Sequence, residues 1–141
     1  MIEGRCLCGA VRLRVAEHET RVEACHCRMC QRWSGGLFLS LSGKPEGFHA
    51  EGPVVRHQSS EFAERAFCGT CGSHLWMRDT DREDADYELM PGLFDDARGF
   101  PLRSEIYTDR ALACVSLAGD HARATRAEYE VKNAHLTGDL P

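Results

Sequence analysis

Cys6-Leu7-Cys8-Gly9-Ala10-Val11 and Cys68-Gly69-Thr70-Cys71-Gly72-Ser73 are the two stretches that decide the fold of this chain. Each sets two cysteines one or two residues apart, follows them with glycine and runs directly into a strand-like segment. Thiolates that close in sequence reach one metal ion readily, but they are poorly placed to bridge each other as ordinary disulfides. The glycine accepts a tight turn, and backbone N–H groups there can point at the negative sulfurs. Joining the two pairs would tie the start of the chain to its middle around a single ion. Four thiolates complete a tetrahedral shell, so Cys6, Cys8, Cys68 and Cys71 are expected to hold a metal that staples the fold.

A third cluster, Cys25-His26-Cys27-Arg28-Met29-Cys30, has three cysteines and no fourth nearby. A structural zinc site closes its shell with four protein ligands, whereas a reactive one commonly keeps a position for water or substrate. The unequal division of seven cysteines therefore predicts one structural site and one open site. Three thiolates on a divalent ion leave a net charge of about −1, a weak activator of water but a good match for a soft incoming thiol. Metal-bound thiol is held as thiolate, its nucleophilic form, so the chemistry implied is on sulfur. Two alternatives stay open at this point. His26 could close the shell, although a residue flanked by ligands usually points away from the metal. The triple could also share an ion with Cys68 and Cys71, which would leave Cys6 and Cys8 as the open pair.

At 141 residues the chain is expected to form one domain, residues 1–141, large enough to bury roughly two thirds of its unfolded surface. A net charge of −5 offers no basic stripe, which argues against a nucleic-acid partner. No run approaches the roughly 18 apolar residues of a membrane span, and the first residues lack a signal-peptide pattern, so no membrane association and a cytoplasmic location are expected. A reducing compartment keeps thiols free for metal.

Period-two alternation predicts a strand over Val11–Val15, and runs set off by glycine, proline or a cysteine cluster predict strands over Leu37–Leu41, Val54–Gln58, Ser73–Met77 and Tyr87–Leu93, with weaker patterns over Glu105–Thr108 and Ala113–Leu117. Helical periodicity is scarce: a turn from Met29 to Trp33 before Gly35, and a short terminal helix from Thr125 to Ala134. The fold class expected is mainly β with little helix.

Taken together, Gly4-x-Cys6-x-Cys8-Gly9-Ala10-Val11, Cys25-His26-Cys27-x-x-Cys30 and Phe67-Cys68-x-x-Cys71-Gly72-Ser73-x-x-Trp76 resemble the glutathione-dependent formaldehyde-activating enzyme family, or CENP-V/GFA domain. The resemblance implies an Mss4-like zinc-binding β fold with two zinc ions per chain. One would be structural, on Cys6, Cys8, Cys68 and Cys71, and the other catalytic, on Cys25, Cys27 and Cys30. It implies a carbon-sulfur lyase activity that joins glutathione, or a similar small thiol, to formaldehyde as S-hydroxymethylglutathione. Towards the C-terminus, Glu105-Ile106 and Leu112-Ala113-Cys114 stand where members often show His-Ile and Ala-Pro-Trp. A non-catalytic Mss4-like zinc module binding a protein partner is the competing reading.

Glutathione carries two carboxylates, so Arg28 and Arg32, beside the triple cluster, are the candidate substrate-binding residues. Trp33 and Trp76 follow metal clusters and are expected to pack as core. Cys114 stands outside every cluster, and a small buried hydrophobe is the expectation for it. His74 is expected to be structural rather than a ligand.

Overall fold

The structure is a computed structural model that describes residues 1–134 and 139–141. Eleven strands and two short α-helices are found among the described residues, so the protein is mainly β, as the short strand-like runs punctuated by glycine and proline predicted. The chain divides into two compact units, each made of two separated segments.

The first unit comprises residues 1–21 and 40–101. In it β1 (Ile2–Arg5), β2 (Arg12–Val15) and β5 (Phe48–Glu51) form an antiparallel sheet in the order β1-β2-β5. The alternation is visible residue by residue: Leu13 and Val15 are buried while Arg12 and Arg14 face solvent. A second antiparallel set runs β4 (Phe38–Gly43), β9 (Tyr87–Leu89), β8 (His74–Asp79), β7 (Ala63–Cys68) and β6 (Val54–Gln58). Their inward faces build a core from Val11, Leu13, Leu41, Leu75, Trp76, Leu89 and Phe94, with Cys6 and Cys68 among its buried members.

Trp76 is fully buried there, edge-on to Phe48 at 5.3 Å and to Tyr87 at 5.5 Å between centroids. Its indole N–H donates to Glu64 at 3.2 Å, so the one polar atom of the ring is satisfied.

The second unit comprises residues 22–39 and 102–141. Here β3 (Val22–Cys25), β10 (Leu102–Ile106) and β11 (Ala122–Ala124) lie parallel, with β10 in the middle. Helix α1 (Arg28–Ser34) starts three residues after Cys25. Cys27 is its N-cap, the sulfur accepting the Cys30 N–H at 3.4 Å, and Gly35 ends it in the left-handed conformation, φ 83°. Helix α2 (Arg126–Lys132) is capped by Thr125, whose hydroxyl accepts the Glu128 N–H and donates to the Glu128 carboxylate.

Several expectations are corrected. The strand from Tyr87 stops at Leu89, because Pro91 cannot donate to a ladder and opens a 3-10 turn over Pro91–Leu93. Residues 113–117 are turn and irregular chain rather than strand, with Ala113 and Cys114 in solvent. Cys114 is therefore exposed, not a buried small hydrophobe. The strand near Glu105 lies earlier than predicted, at Leu102–Ile106, and gives way to Tyr107 in the left-handed region, φ 57°.

Candidate metal centres

The turns that leave β1 and β7 each carry one cysteine pair. Gly9 donates to the Cys6 carbonyl at 3.0 Å and Gly72 to the Cys68 carbonyl at 2.8 Å. Both glycines have positive φ, 78° and 76°, and open space where a Cβ would stand, so backbone conformation rather than crowding requires glycine. The turns bring Cys6, Cys8, Cys68 and Cys71 together, all four sulfurs within 4.8 Å of one another. The Cys6 and Cys8 sulfurs are 3.5 Å apart, far beyond a disulfide bond, and all eight cysteines are free.

Backbone N–H groups of Val11 and Thr70 point at the sulfurs of Cys6 and Cys68, at 3.2 and 3.4 Å. Across the turns, Ser73 accepts the Leu7 N–H with its hydroxyl and lies 3.2 Å from the Cys71 sulfur. Hydrogen bonds from the Ser73 hydroxyl and backbone lower the Cys71 thiol to about 5. Cys8 is pushed up to about 12: the Ala10 backbone N–H favours its thiolate, but desolvation and the sulfurs of Cys6, Cys71 and Cys68 outweigh that. So crowded a set cannot ionise fully on its own, and a cation among the sulfurs would let it do so.

The second centre is local in sequence. Cys25 ends β3, Cys27 caps α1 and Cys30 lies in its first turn, and their sulfurs also fall within 4.8 Å of one another. No further His, Cys, Asp or Glu among the described residues joins either set, so the second stays at three. The Cys27 N–H points at the Cys25 sulfur at 3.5 Å. Hydrogen bonds with Cys27 and Cys30, followed by burial, push the Cys25 thiol upward. Cys27 is also raised: its bond with Cys25 lowers it, but Cys30 and burial prevail. Soft sulfur donors, sulfur-directed N–H groups and thiols that need a positive charge to ionise together fit a metal ion at both places.

His26 turns away from the sulfurs. Its ring is 2% exposed and bonds Glu105 at 2.8 Å through Nε2. The other Glu105 oxygen takes the Nε2 of buried His121, and Arg123 approaches it at 3.2 Å. Burial works against the Glu105 carboxylate charge, yet hydrogen bonds from His121 and His26 hold its pKa below the usual range. An ionised carboxylate only accepts, so both rings carry their proton on Nε2.

The backbone is fixed as well. His26 donates its N–H to the Ile106 carbonyl at 3.0 Å, and the Gln31 amide donates to the carbonyls of His26 and Arg110, each at 2.7 Å. Tyr107, buried beyond Ile106, donates its hydroxyl to Glu130 at 3.1 Å. Nearly buried Asp139 accepts the N–H groups of Arg28 and Met29 at 3.1 and 3.3 Å and pairs with Arg110 at 2.9 Å.

Arg28 and Arg32 are exposed and one helical turn apart on α1. Trp33 is half-buried against Phe38, with centroids 6.1 Å apart, whereas Trp76 is core. His74 joins neither sulfur set. Glu105, His121, Tyr107 and Asp139 were not singled out as site residues from the sequence. Glu105 and Asp139 reach the cysteine loop across long separations, 79 residues for His26 and Glu105 and 111 for Arg28 and Asp139, while His121 and Tyr107 bond Glu105 and Glu130, and no local pattern marks any of them.

The model of the family described as "Glutathione-dependent formaldehyde-activating enzyme" matches residues 1–110, which include both sulfur sets. The chain belongs to this family. A protein of Schizosaccharomyces pombe named as an uncharacterized lyase is 31% identical over 118 residues, 82% of this chain and 85% of that protein. A Halomonas elongata protein, named for glutathione-dependent formaldehyde activation, is 35% identical over 91 residues, 56% of this chain and 57% of its own length. Among solved structures, a Rhodobacter sphaeroides protein shares the fold, with a TM-score of 0.57 at 20% identity over 72% of this chain and 99% of that one. No helix among the described residues is long and apolar enough to cross a membrane.

Proposed function

We propose that this protein is a zinc-dependent lyase-type enzyme that makes and breaks the carbon-sulfur bond of a thiol-aldehyde adduct, on the pattern of glutathione and formaldehyde. The observation that carries the proposal is the incomplete sulfur set: three cysteine thiols within 4.8 Å and no fourth protein ligand among the described residues. Membership of the formaldehyde-activating family and the lyase name of the S. pombe relative support the reaction class. Cys25, Cys27 and Cys30 would hold the catalytic zinc, and Cys6, Cys8, Cys68 and Cys71 the structural one.

Zinc bound to the triple would lower the pKa of an incoming thiol and supply a thiolate at neutral pH. In the balanced reaction the thiol sulfur forms a bond to the carbonyl carbon, the C=O π bond breaks, and the thiol proton ends on oxygen without redox change. The chain contributes a fixed donor set: Cys27 is held as helix cap and Cys30 by the helix it starts. Arg28 and Arg32, exposed on α1, would meet the carboxylates of a glutathione-like thiol. An open groove of about 1020 Å3 in the first unit borders Cys6 and Cys8, where the sulfur set is complete, and no reaction is assigned to it. A reducing cytoplasm would keep all these thiols available.

The test follows exchange between glutathione and S-hydroxymethylglutathione by NMR. The zinc-loaded protein should accelerate exchange, and Cys27→Ala should not. Exchange at the uncatalysed rate with glutathione and with other small thiols would refute the proposal.

A further inference from the structure

Glu105 occupies an unusual place. Its carboxylate is almost buried, accepts from two buried imidazoles, one on each oxygen, and is approached by a guanidinium. One of those imidazoles belongs to His26, the residue between two cysteines of the open set. Glu105 also lies on β10 opposite Ala24, and the next residue, Ile106, lies opposite Cys25 and accepts the His26 N–H. His26 is thus held at its ring by Glu105 and at its backbone by β10, while its carbonyl is held by Gln31.

We propose that Glu105 is a positioning residue for the three-cysteine centre: clamped by His121, it anchors the His26 ring and so fixes the short loop that presents Cys25 and Cys27. The proposal rests on the reading of this triple as a metal centre.

The physical need for such an anchor follows from the ligand count. A centre with four protein ligands is held from several sides, whereas three ligands within six residues share one loop and one helix turn. Any freedom of that loop spreads the sulfurs and weakens the metal. Groups bonded behind a ligand set typically change metal affinity by about 10-fold to 100-fold when removed. Here the anchor is attached to the residue between the ligands rather than to a ligand itself. A carboxylate suits the place because it can accept from both rings at once. The isosteric amide of Gln has one accepting oxygen and presents N–H groups to the second ring, so Glu105→Gln breaks one bond while preserving volume.

The experiment uses the whole chain loaded with cobalt, titrated against a competing chelator, with the thiolate-to-cobalt absorbance of each centre assigned through Cys27→Ala, which leaves only the signal of the four-cysteine centre. In Glu105→Gln, cobalt affinity at the three-cysteine centre should fall about 10-fold while the four-cysteine centre keeps its own. His26→Ala should fall similarly, and combining the two should add little, since both remove one anchor. Glu105→Ala would serve as the harsher variant, and Glu105→Gln keeps the test valid if that one does not fold.

An equal loss at both centres would mean that Glu105 only supports the fold, and no loss at the three-cysteine centre would overturn the proposal outright. If that centre takes cobalt but its spectrum ignores every small thiol, the lyase reading fails while the affinity comparison still decides the role of Glu105. A wild-type triple that takes no cobalt would overturn both.

Discussion

The two sulfur sets solve the same problem in opposite ways. Cys6, Cys8, Cys68 and Cys71 come from turns about sixty residues apart, and Cys6 and Cys68 are members of the hydrophobic core. Cys25, Cys27 and Cys30 come from one loop and one helical turn, with their support supplied from behind by His26 and Glu105. Where ligands arrive from distant segments, a bound metal would be part of the fold. Where they arrive from one segment, the fold would have to hold the ligands for a metal to keep a free corner.

The largest effect should separate the sets directly. Binding free energies of structural zinc, about 10–16 kcal/mol, match or exceed the stability of a typical domain. Cys68→Ala should therefore leave the chain unfolded at 37 °C, while Cys27→Ala should keep its cooperative transition and lose only thiol exchange. Circular dichroism melts of the two variants decide this, and similar melting of both would erase the distinction.

Next in size is the core behind the first set. Trp76→Ala removes a fully buried ring and should cost about 3–5 kcal/mol in urea unfolding. Trp33→Ala, at a half-buried site, should cost clearly less, and a reversed ranking would show that the second unit carries more of the stability.

Acid should distinguish the centres as well. The Cys25 and Cys27 thiols are pushed upward, so a metal there must displace more tightly held protons. In the other set Cys8 alone is pushed up, to about 12, whereas Cys6, lowered against the effect of burial by the Val11 N–H and the sulfurs of Cys8 and Cys68, and Cys71, at about 5, give up theirs more readily. As pH falls from 8, cobalt absorbance should fade first at the three-cysteine centre, and earlier loss at the other set would contradict this order.

The smallest effect concerns Asp139. Its Ala variant removes an acceptor from two N–H groups at the start of α1 and an ion pair with Arg110, a change of about 1–3 kcal/mol. Faster hydrogen exchange at Arg28 and Met29, with the first unit unchanged, is the expected readout.

Much of this comparison was legible in the sequence. The knuckle spacing with Gly9 and Gly72 marked both pairs, and Gly52-Pro53 ahead of Val54–Gln58 placed that strand at its observed bounds. Other strands hid for physical reasons. Ile2–Arg5 has Gly4 where a buried side chain would signal a strand, and Ala63–Cys68 buries the charged Arg65 where an apolar residue would be expected. The support of the second set was invisible because it is made by contact between distant segments. Glu105 attracted notice only as a departure from the family pattern, and nothing around His121 or Asp139 advertises a partner.

The wide spacing of the first sulfur set also has a consequence for synthesis. A chain leaving the ribosome presents Cys25, Cys27 and Cys30 together early, but the partners of Cys6 and Cys8 appear only when Cys68 and Cys71 have been made. The centre proposed to staple the fold is thus the later one to be completed. Until then the nascent chain exposes strands that cannot yet close on their core, and this is the interval in which zinc shortage or a stalled ribosome would leave it most prone to aggregate.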